Sequence, residues 1–245
     1  MATFLLVHGA FHGSWCWERV IPELEALGHR VIAPDLPGVG SDLETLAGQD
    51  LGQWGDFVAK LARGADEPVI LVGHSRGGLV IGEAAERAPE AIASLVYLTA
   101  MLVPGGETMM SVSLASGEPM TSLVITPSAD GRLCHADPTS IADLLYNMTA
   151  DADTARALAR LVPEPAAVFA ATSTATPERH GRIPRVYIEC TEDRVLTPAI
   201  QRAMRKALPC DTVFSLNSDH SPFYSALPPL IDALNAVATS SRPLS

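Results

Sequence analysis

The stretch from Pro68 to Val80, PVILVGHSRGGLV, constrains this chain more than any other. Residues 69–72 are an apolar run rich in β-branched side chains, and it stops at Gly73. An Ala-rich amphipathic segment follows over residues 79–87. That order predicts a strand, a very tight turn and a helix. Gly73 and Gly77 flank Ser75 at the spacing G-x-S-x-G, the pattern of a nucleophile elbow. Side chains two residues either side of so sharp a turn would strike neighbouring backbone, which is why glycine stands there. The serine hydroxyl then projects from the carboxyl edge of the sheet. The helix that follows aims its amide-rich N-terminus at the same point, which suits an oxyanion. The simpler alternative is a glycine-rich turn with an incidental serine. The rest of the chain bears on that choice.

Residues 4–7 form a short apolar run before His8-Gly-Ala-Phe-His-Gly13. Residues 14–27 have helical spacing, with Trp17, Val20, Ile21, Leu24 and Leu27 on one face and Gly28 as a cap. Strands are expected over 30–33 and 94–99, a helix over 50–63, and the end of the elbow helix near Pro89. Strands alternating with helices imply a parallel sheet covered on both faces with right-handed crossovers. From Met101 to about Arg182 that rhythm is lost. A Gly/Met-rich linker over 103–110 precedes a hairpin of 122–126 with 131–135 and helical pieces over 140–147, 154–161 and 164–171. So long an interval between two sheet strands is too long for a loop and reads as a cap or lid. The sheet resumes over 185–190 and 212–216, with helices over 198–208 and 226–238 and a frayed tail over 240–245. The expected layout is a core of residues 1–100 and 183–245 with a cap of residues 101–182.

A chain of 245 residues, 47% hydrophobic and 18% charged, can bury one sizeable core. Its net charge of −11 and lack of a basic cluster argue against nucleic acid or an anionic membrane as partner. No apolar run reaches spanning length, and the N-terminus lacks the charged flank and longer apolar core of a secretory signal. Cys16, Cys134, Cys190 and Cys210 show no C-x-x-C spacing, so neither a zinc site nor a disulfide framework is expected. A soluble cytoplasmic chain fits these features, with the Asn147-Met-Thr149 sequon then coincidental. Whether it is a monomer or a homodimer stays open.

Acyl transfer by serine needs a base in hydrogen-bond reach, a carboxylate to orient the base, and donors for the oxyanion. In an open parallel sheet these groups must lie on loops at the carboxyl ends of strands. Ser75, Asp193 and His220 each follow a predicted strand within three or four residues, in the order Ser, Asp, His. His74 adjoins the serine but points elsewhere in such a turn. His29, His135 and His180 fall at helix ends or in the insertion, and only His220 follows the final strand. Glu192 and Asp219 neighbour the favoured positions, and a purely loop-capping Asp193 is the alternative to a catalytic one. The expected oxyanion donors are the backbone N–H groups of Arg76 and Ala10. His12 reads as a structural hydrogen-bonder.

His8-Gly-Ala-Phe-His-Gly-Ser-Trp-Cys-Trp17, Gly73-His-Ser-Arg-Gly-Gly78, Tyr187-Ile-Glu-Cys-Thr-Glu-Asp193 and Ser218-Asp-His220 resemble the α/β-hydrolase superfamily. They resemble most closely its plant methylesterase/hydroxynitrile lyase branch and bacterial esterase relatives. The resemblance covers essentially the whole chain and is weakest over 101–182. It implies the α/β-hydrolase fold, with a mostly parallel six-stranded sheet in the order 2-1-3-4-5-6, helices on both faces and an inserted cap. It also implies Ser75, Asp193 and His220 as the triad, Ala10 and Arg76 as oxyanion donors, and no metal or cofactor. Lyases of the branch carry threonine and lysine where this chain has Gly9 and Ser221, and that lysine supplies the field that stabilises departing cyanide. Both departures point toward hydrolysis of a small-molecule carboxylic ester. A lyase or lactonase activity and a ligand-binding module with a slow retained triad are the alternatives. Arg76 stands where the branch carries an apolar residue. Its guanidinium is expected to anchor a cap carboxylate such as Glu107, or else an acid group of the substrate. Phe11, Met101, Leu102, Leu144, Met148, Leu196 and Phe223 are the expected lining of an apolar substrate pocket.

Overall fold

The computed structural model describes residues 1–118 and 125–240. In its first part β1 (Thr3–Val7), α1 (Val20–Ala26), β2 (Arg30–Ile32), α2 (Leu43–Ala47), α3 (Leu51–Arg63), β3 (Val69–His74), α4 (Gly77–Arg87) and β4 (Ile92–Leu98) follow in order. The interval before the sheet resumes holds α5 (Met109–Ala115), β5 (Ile125–Pro127), β6 (Leu133–Ala136), α6 (Pro138–Leu145), α7 (Asp151–Leu158), β7 (Glu164–Pro165) and α8 (Ala166–Phe169). The last part is β8 (Arg185–Cys190), α9 (Pro198–Ala207), β9 (Thr212–Leu216), α10 (Pro222–Ser225) and α11 (Leu227–Ser240). Among the described residues no helix is long and apolar enough to cross a membrane.

Six strands form one sheet in the order β2-β1-β3-β4-β8-β9, and every neighbouring pair is parallel. Counted along the chain, these are the strands of the expected 2-1-3-4-5-6 order. The chain leaves β1 toward one edge and returns at β3 toward the other, so the order reverses between them. The carboxyl ends of β1 and β3 therefore flank the crevice where open α/β sheets bind ligands.

The strands read as unbroken apolar runs because both faces of the sheet are covered. In β1, Leu5 and Val7 enter one core cluster while Phe4 and Leu6 enter the other. β3 divides its residues likewise, with Leu71 on one side and Ile70 and Val72 on the other. Trp54 and Val58 of α3 and Val80 of α4 fill the first face. Val20 and Leu24 of α1 and Leu230 and Leu234 of α11 fill the second. The edge strand β9 pairs with one neighbour only and leaves Val213 exposed.

Several boundaries differ from those expected, each for a local reason. Residues 14–27 are not one helix but a 3-10 turn at Ser14–Trp17 followed by α1. Pro22 would clash with the carbonyl of residue 18 in a continuous helix and is tolerated only in a first turn. The helix expected over 164–171 shrinks to α8. Pro165 disfavours helical backbone at Glu164, and those two residues pair with β6 as a third antiparallel strand. The linker expected over 103–110 gives way to α5, whose Thr108 and Ser111 form a reciprocal capping box. β5 and β6 pair antiparallel, with Ile125 opposite Ala136. Residues 122–124 of the expected hairpin and residues 241–245 of the expected tail lie outside the described residues.

Candidate active site

Ser75 occupies the left-handed region at φ 53°. Its N–H donates to Leu98 O at 3.2 Å, and its carbonyl accepts from Gly78 N at 3.0 Å and Met101 N at 2.9 Å. Backbone alone thus fixes the turn. The glycines are explained by close approach. A Cβ on Gly73 would lie 2.7 Å from Gly77 O, and one on Gly77 would lie 2.8 Å from Val7 O at the end of β1. A Cβ on Gly78 would meet Met101 O at 2.3 Å, inside any permitted contact.

The Ser75 hydroxyl lies 2.8 Å from His220 Nε2, and His220 Nδ1 lies 2.6 Å from Asp193 Oδ2. Asp193 also accepts from Val195 N at 2.7 Å and Leu196 N at 2.9 Å on Oδ1, and from the Thr99 hydroxyl on Oδ2. Such an acceptor requires the proton on Nδ1, which leaves the Nε2 lone pair toward the serine hydroxyl. The His74 ring makes no hydrogen bond to the Ser75 hydroxyl. Its Nε2 donates to His220 O at 2.7 Å, and burial beside His220 holds its imidazole neutral, its pKa well below the ordinary value. Asp219 is fully buried and spans the site. Oδ1 accepts from Ser221 N and the Ser225 hydroxyl, Oδ2 from Met148 N and the Thr149 hydroxyl.

The loop after β1 is held by side chains. Gly9 O accepts from Arg76 Nη2 at 3.0 Å and from His8 Nδ1 at 3.0 Å. His8 Nε2 accepts from Leu36 N at 3.2 Å, which fixes the neutral tautomer. Burial, aided by the Arg76 charge, holds the His8 pKa down at about 3. His12 Nδ1 bonds Ala10 O and its Nε2 the Tyr146 hydroxyl, each at 2.7 Å, and burial lowers its pKa to about 4. Ala10 N and Arg76 N have no acceptor among the described residues. A Cβ on Gly9 would lie 2.7 Å from His74 Nδ1 and 3.0 Å from Ser75 Cβ, so the loop touches the elbow.

Arg76 does not meet Glu107, which is exposed. It is buried, with Nε 2.6 Å from Glu164 Oε1 and its guanidinium carbon 4.6 Å from the centre of the Trp54 ring. Pro165 disfavours helical backbone at Glu164, which pairs in β7, and the Glu164 side chain is buried. Burial pushes the Glu164 carboxyl pKa up, and the Arg76 charge opposes that shift.

The other expected residues divide. Phe11, Met101, Leu102, Leu144 and Leu196 are buried in the core cluster on the α3/α4 face of the sheet. Phe223 is fully buried in the opposite cluster, edge-on to Trp17 and His74. Met148 is 42% exposed, and its backbone rather than its side chain reaches the site, through Asp219. Thr99, Glu164, Tyr146 and the bonding of Asp219 are not anticipated by the sequence reading. For Thr99 a signal exists, since it is a polar residue just past the strand beside the elbow strand. Its φ of 35° makes it, with Phe11 and Ser75, one of three non-glycine residues with positive φ among the described residues. All three follow the carboxyl ends of adjacent strands, and strain concentrated there is a mark of a functional site. Among the described residues no group of His, Cys, Asp and Glu could hold a metal ion.

Residues 4–233 match the model of a family described as the alpha/beta hydrolase family. The chain is 32% identical to methyl jasmonate esterase 1 of Vitis vinifera, over 91% of this chain and 91% of that one. It is 34% identical to the pyrethroid hydrolase of Sphingobium wenxiniae, over 96% of this chain and 86% of the relative. The crystal structure of a pyrethroid hydrolase from Sphingobium faniae superposes with a TM-score of 0.85 at 32% identity, covering 98% of both chains.

Proposed function

The chain belongs to the alpha/beta hydrolase family, and from that premise we propose that it is a serine carboxylesterase acting on small to medium, apolar, uncharged esters. Relatives named an esterase and a hydrolase support the reaction class. The observation that carries the reading is the hydrogen-bonded series Ser75–His220–Asp193.

In this reading His220 Nε2 takes the Ser75 proton as Oγ attacks the ester carbonyl. The negative charge of the tetrahedral intermediate rests on the N–H groups of Ala10 and Arg76. His220, now positive, is stabilised and kept in register by Asp193, then gives its proton to the leaving alcohol. Water activated by the same imidazole releases the acid and restores Ser75. No step calls on a metal or cofactor. Residues 101–182 are the cap, and its apolar contacts with the core exclude water, which strengthens every interaction with the oxyanion. Arg76 is occupied by Glu164, so its guanidinium does not receive a substrate carboxylate; this favours neutral esters. A cytoplasmic location fits four cysteines that are all free.

The test is hydrolysis of p-nitrophenyl acetate, butyrate and octanoate and of a methyl aryl ester by wild type and Ser75→Ala. Wild type is expected to turn over at least one, with chain-length preference sizing the pocket. Loss of the nucleophile should lower kcat by about 10⁴-fold or more. A wild type as inert as the variant on all four would remove the esterase reading.

A further inference from the structure

Phe11 has φ 63°, a conformation that a bulky residue keeps only under restraint. Two restraints come from one short segment of the cap. Val162 N donates to Phe11 O at 2.9 Å, and Phe11 N donates to Glu164 Oε2 at 3.1 Å. Glu164 is gripped in turn by Arg76, and both side chains are at most 2% exposed. The same guanidinium donates to Gly9 O and stacks on Trp54, whose Nε1 is tied to Pro37 O at 3.0 Å. Gly9 O, Arg76, Glu164 and Phe11 N thus close a ring of contacts around Ala10, gripping the residue on each side of it.

We propose that Arg76 and Glu164 are positioning residues that fix the Ala10 N–H against the Arg76 N–H, so that one arginine sets both donors for the oxyanion. Its backbone supplies one donor and its side chain, through Gly9 O and Glu164, orients the other. This rests on the reading that these two N–H groups receive the oxyanion. The oxyanion exists only after Oγ has attacked, so a displaced Ala10 N–H weakens the transition state and leaves substrate binding alone. A pair that merely ties cap to core would instead alter stability, with no selective effect on the transition state.

The deciding variant is Arg76→Met with Glu164→Met. Removing both charges together leaves neither buried and unpaired. With p-nitrophenyl butyrate, KM should stay within about threefold while kcat falls by roughly 10²-fold, the scale of a lost oxyanion donor. Affinity for an alkyl trifluoromethyl ketone, which Ser75 captures as an anionic hemiketal, should fall by about the same factor. Affinity for the matching secondary alcohol, which forms no oxyanion, should hold within about threefold. If the folded double variant keeps wild-type kcat and ketone affinity, the proposal is overturned. Arg76→Lys decides the matter should the double variant not fold. It retains a charge for Glu164 but not the fork that also reaches Gly9 O, so kcat should fall about tenfold at unchanged KM, and a wild-type kcat overturns the proposal. Wild type and Ser75→Ala are assayed alongside. A wild type inert on the ester, or a Ser75→Ala variant as active as wild type, overturns the esterase reading and the brace with it. An active wild type with unimpaired brace variants overturns the brace alone.

Discussion

Two loops meet at the candidate active site, and they are built by opposite means. The elbow around Ser75 is fixed by backbone hydrogen bonds to Leu98, Met101 and Gly78 and by glycines pressed against neighbouring main chain. The loop from Gly9 to Phe11 is fixed mostly by the side chains of His8, His12, Arg76 and Glu164. A backbone lock depends on the sheet beneath it. A side-chain lock depends on burial and protonation, and on residues far away in sequence. The backbone of the elbow is therefore sensitive chiefly to added volume, whereas the loop that faces it, tight as it is at Gly9, is sensitive also to the loss of buried charge and to protonation of its histidines.

Added volume gives the largest expected effect. Gly78→Ala would put a Cβ 2.3 Å from Met101 O, and the shift needed to relieve it breaks the bond from Met101 N to Ser75 O. We expect a loss of about 3 kcal/mol, seen as a fall in Tm on the order of 10 °C, together with loss of ester turnover. A Gly78→Ala protein that melts and turns over like wild type would show that the elbow is not locked by its backbone contacts.

Protonation sharpens the comparison from the other side. His8 and His12 titrate near 3 and 4 in the folded chain against an ordinary 6.5. Between those values the unfolded chain binds more protons, so stability rises with pH across the window. Their contribution is complete above about 6.5 and is lost as pH falls through 4 toward 3. Melting at pH 7, 6, 5 and 4 should show Tm dropping progressively, with a shallower slope in His12→Gln. A Tm that is flat over this range would mean that these imidazoles are not held neutral.

The same contrast explains what could be read from the sequence. Strands such as Thr3–Val7 and Val69–His74 announce themselves because two covered faces demand unbroken apolar runs. Ser75, Asp193 and His220 were legible because a parallel sheet delivers functional groups to the carboxyl ends of its strands. Glu164 was not, since its partner Arg76 is 88 residues away and no periodicity marks the pairing. Arg76 does pair with a carboxylate from residues 101–182, as one of its two expected roles has it, but the partner is Glu164 rather than Glu107. Tyr146, 134 residues from His12, was hidden for the same reason. Proline decided two boundaries that spacing alone misjudged, at Pro22 and Pro165. Phe223 is among the expected pocket residues, yet α10 turns its ring into the core beside Trp17.

The central claim is that Ser75 is a nucleophile activated by His220. It is tested most directly by treating the protein with an alkyl fluorophosphonate and locating the adduct by mass spectrometry of the intact chain and its peptides. The account predicts one phosphonyl group, carried on the Ser75 hydroxyl, and none in Ser75→Ala. An unlabelled wild type, or a label that persists in Ser75→Ala, would contradict it.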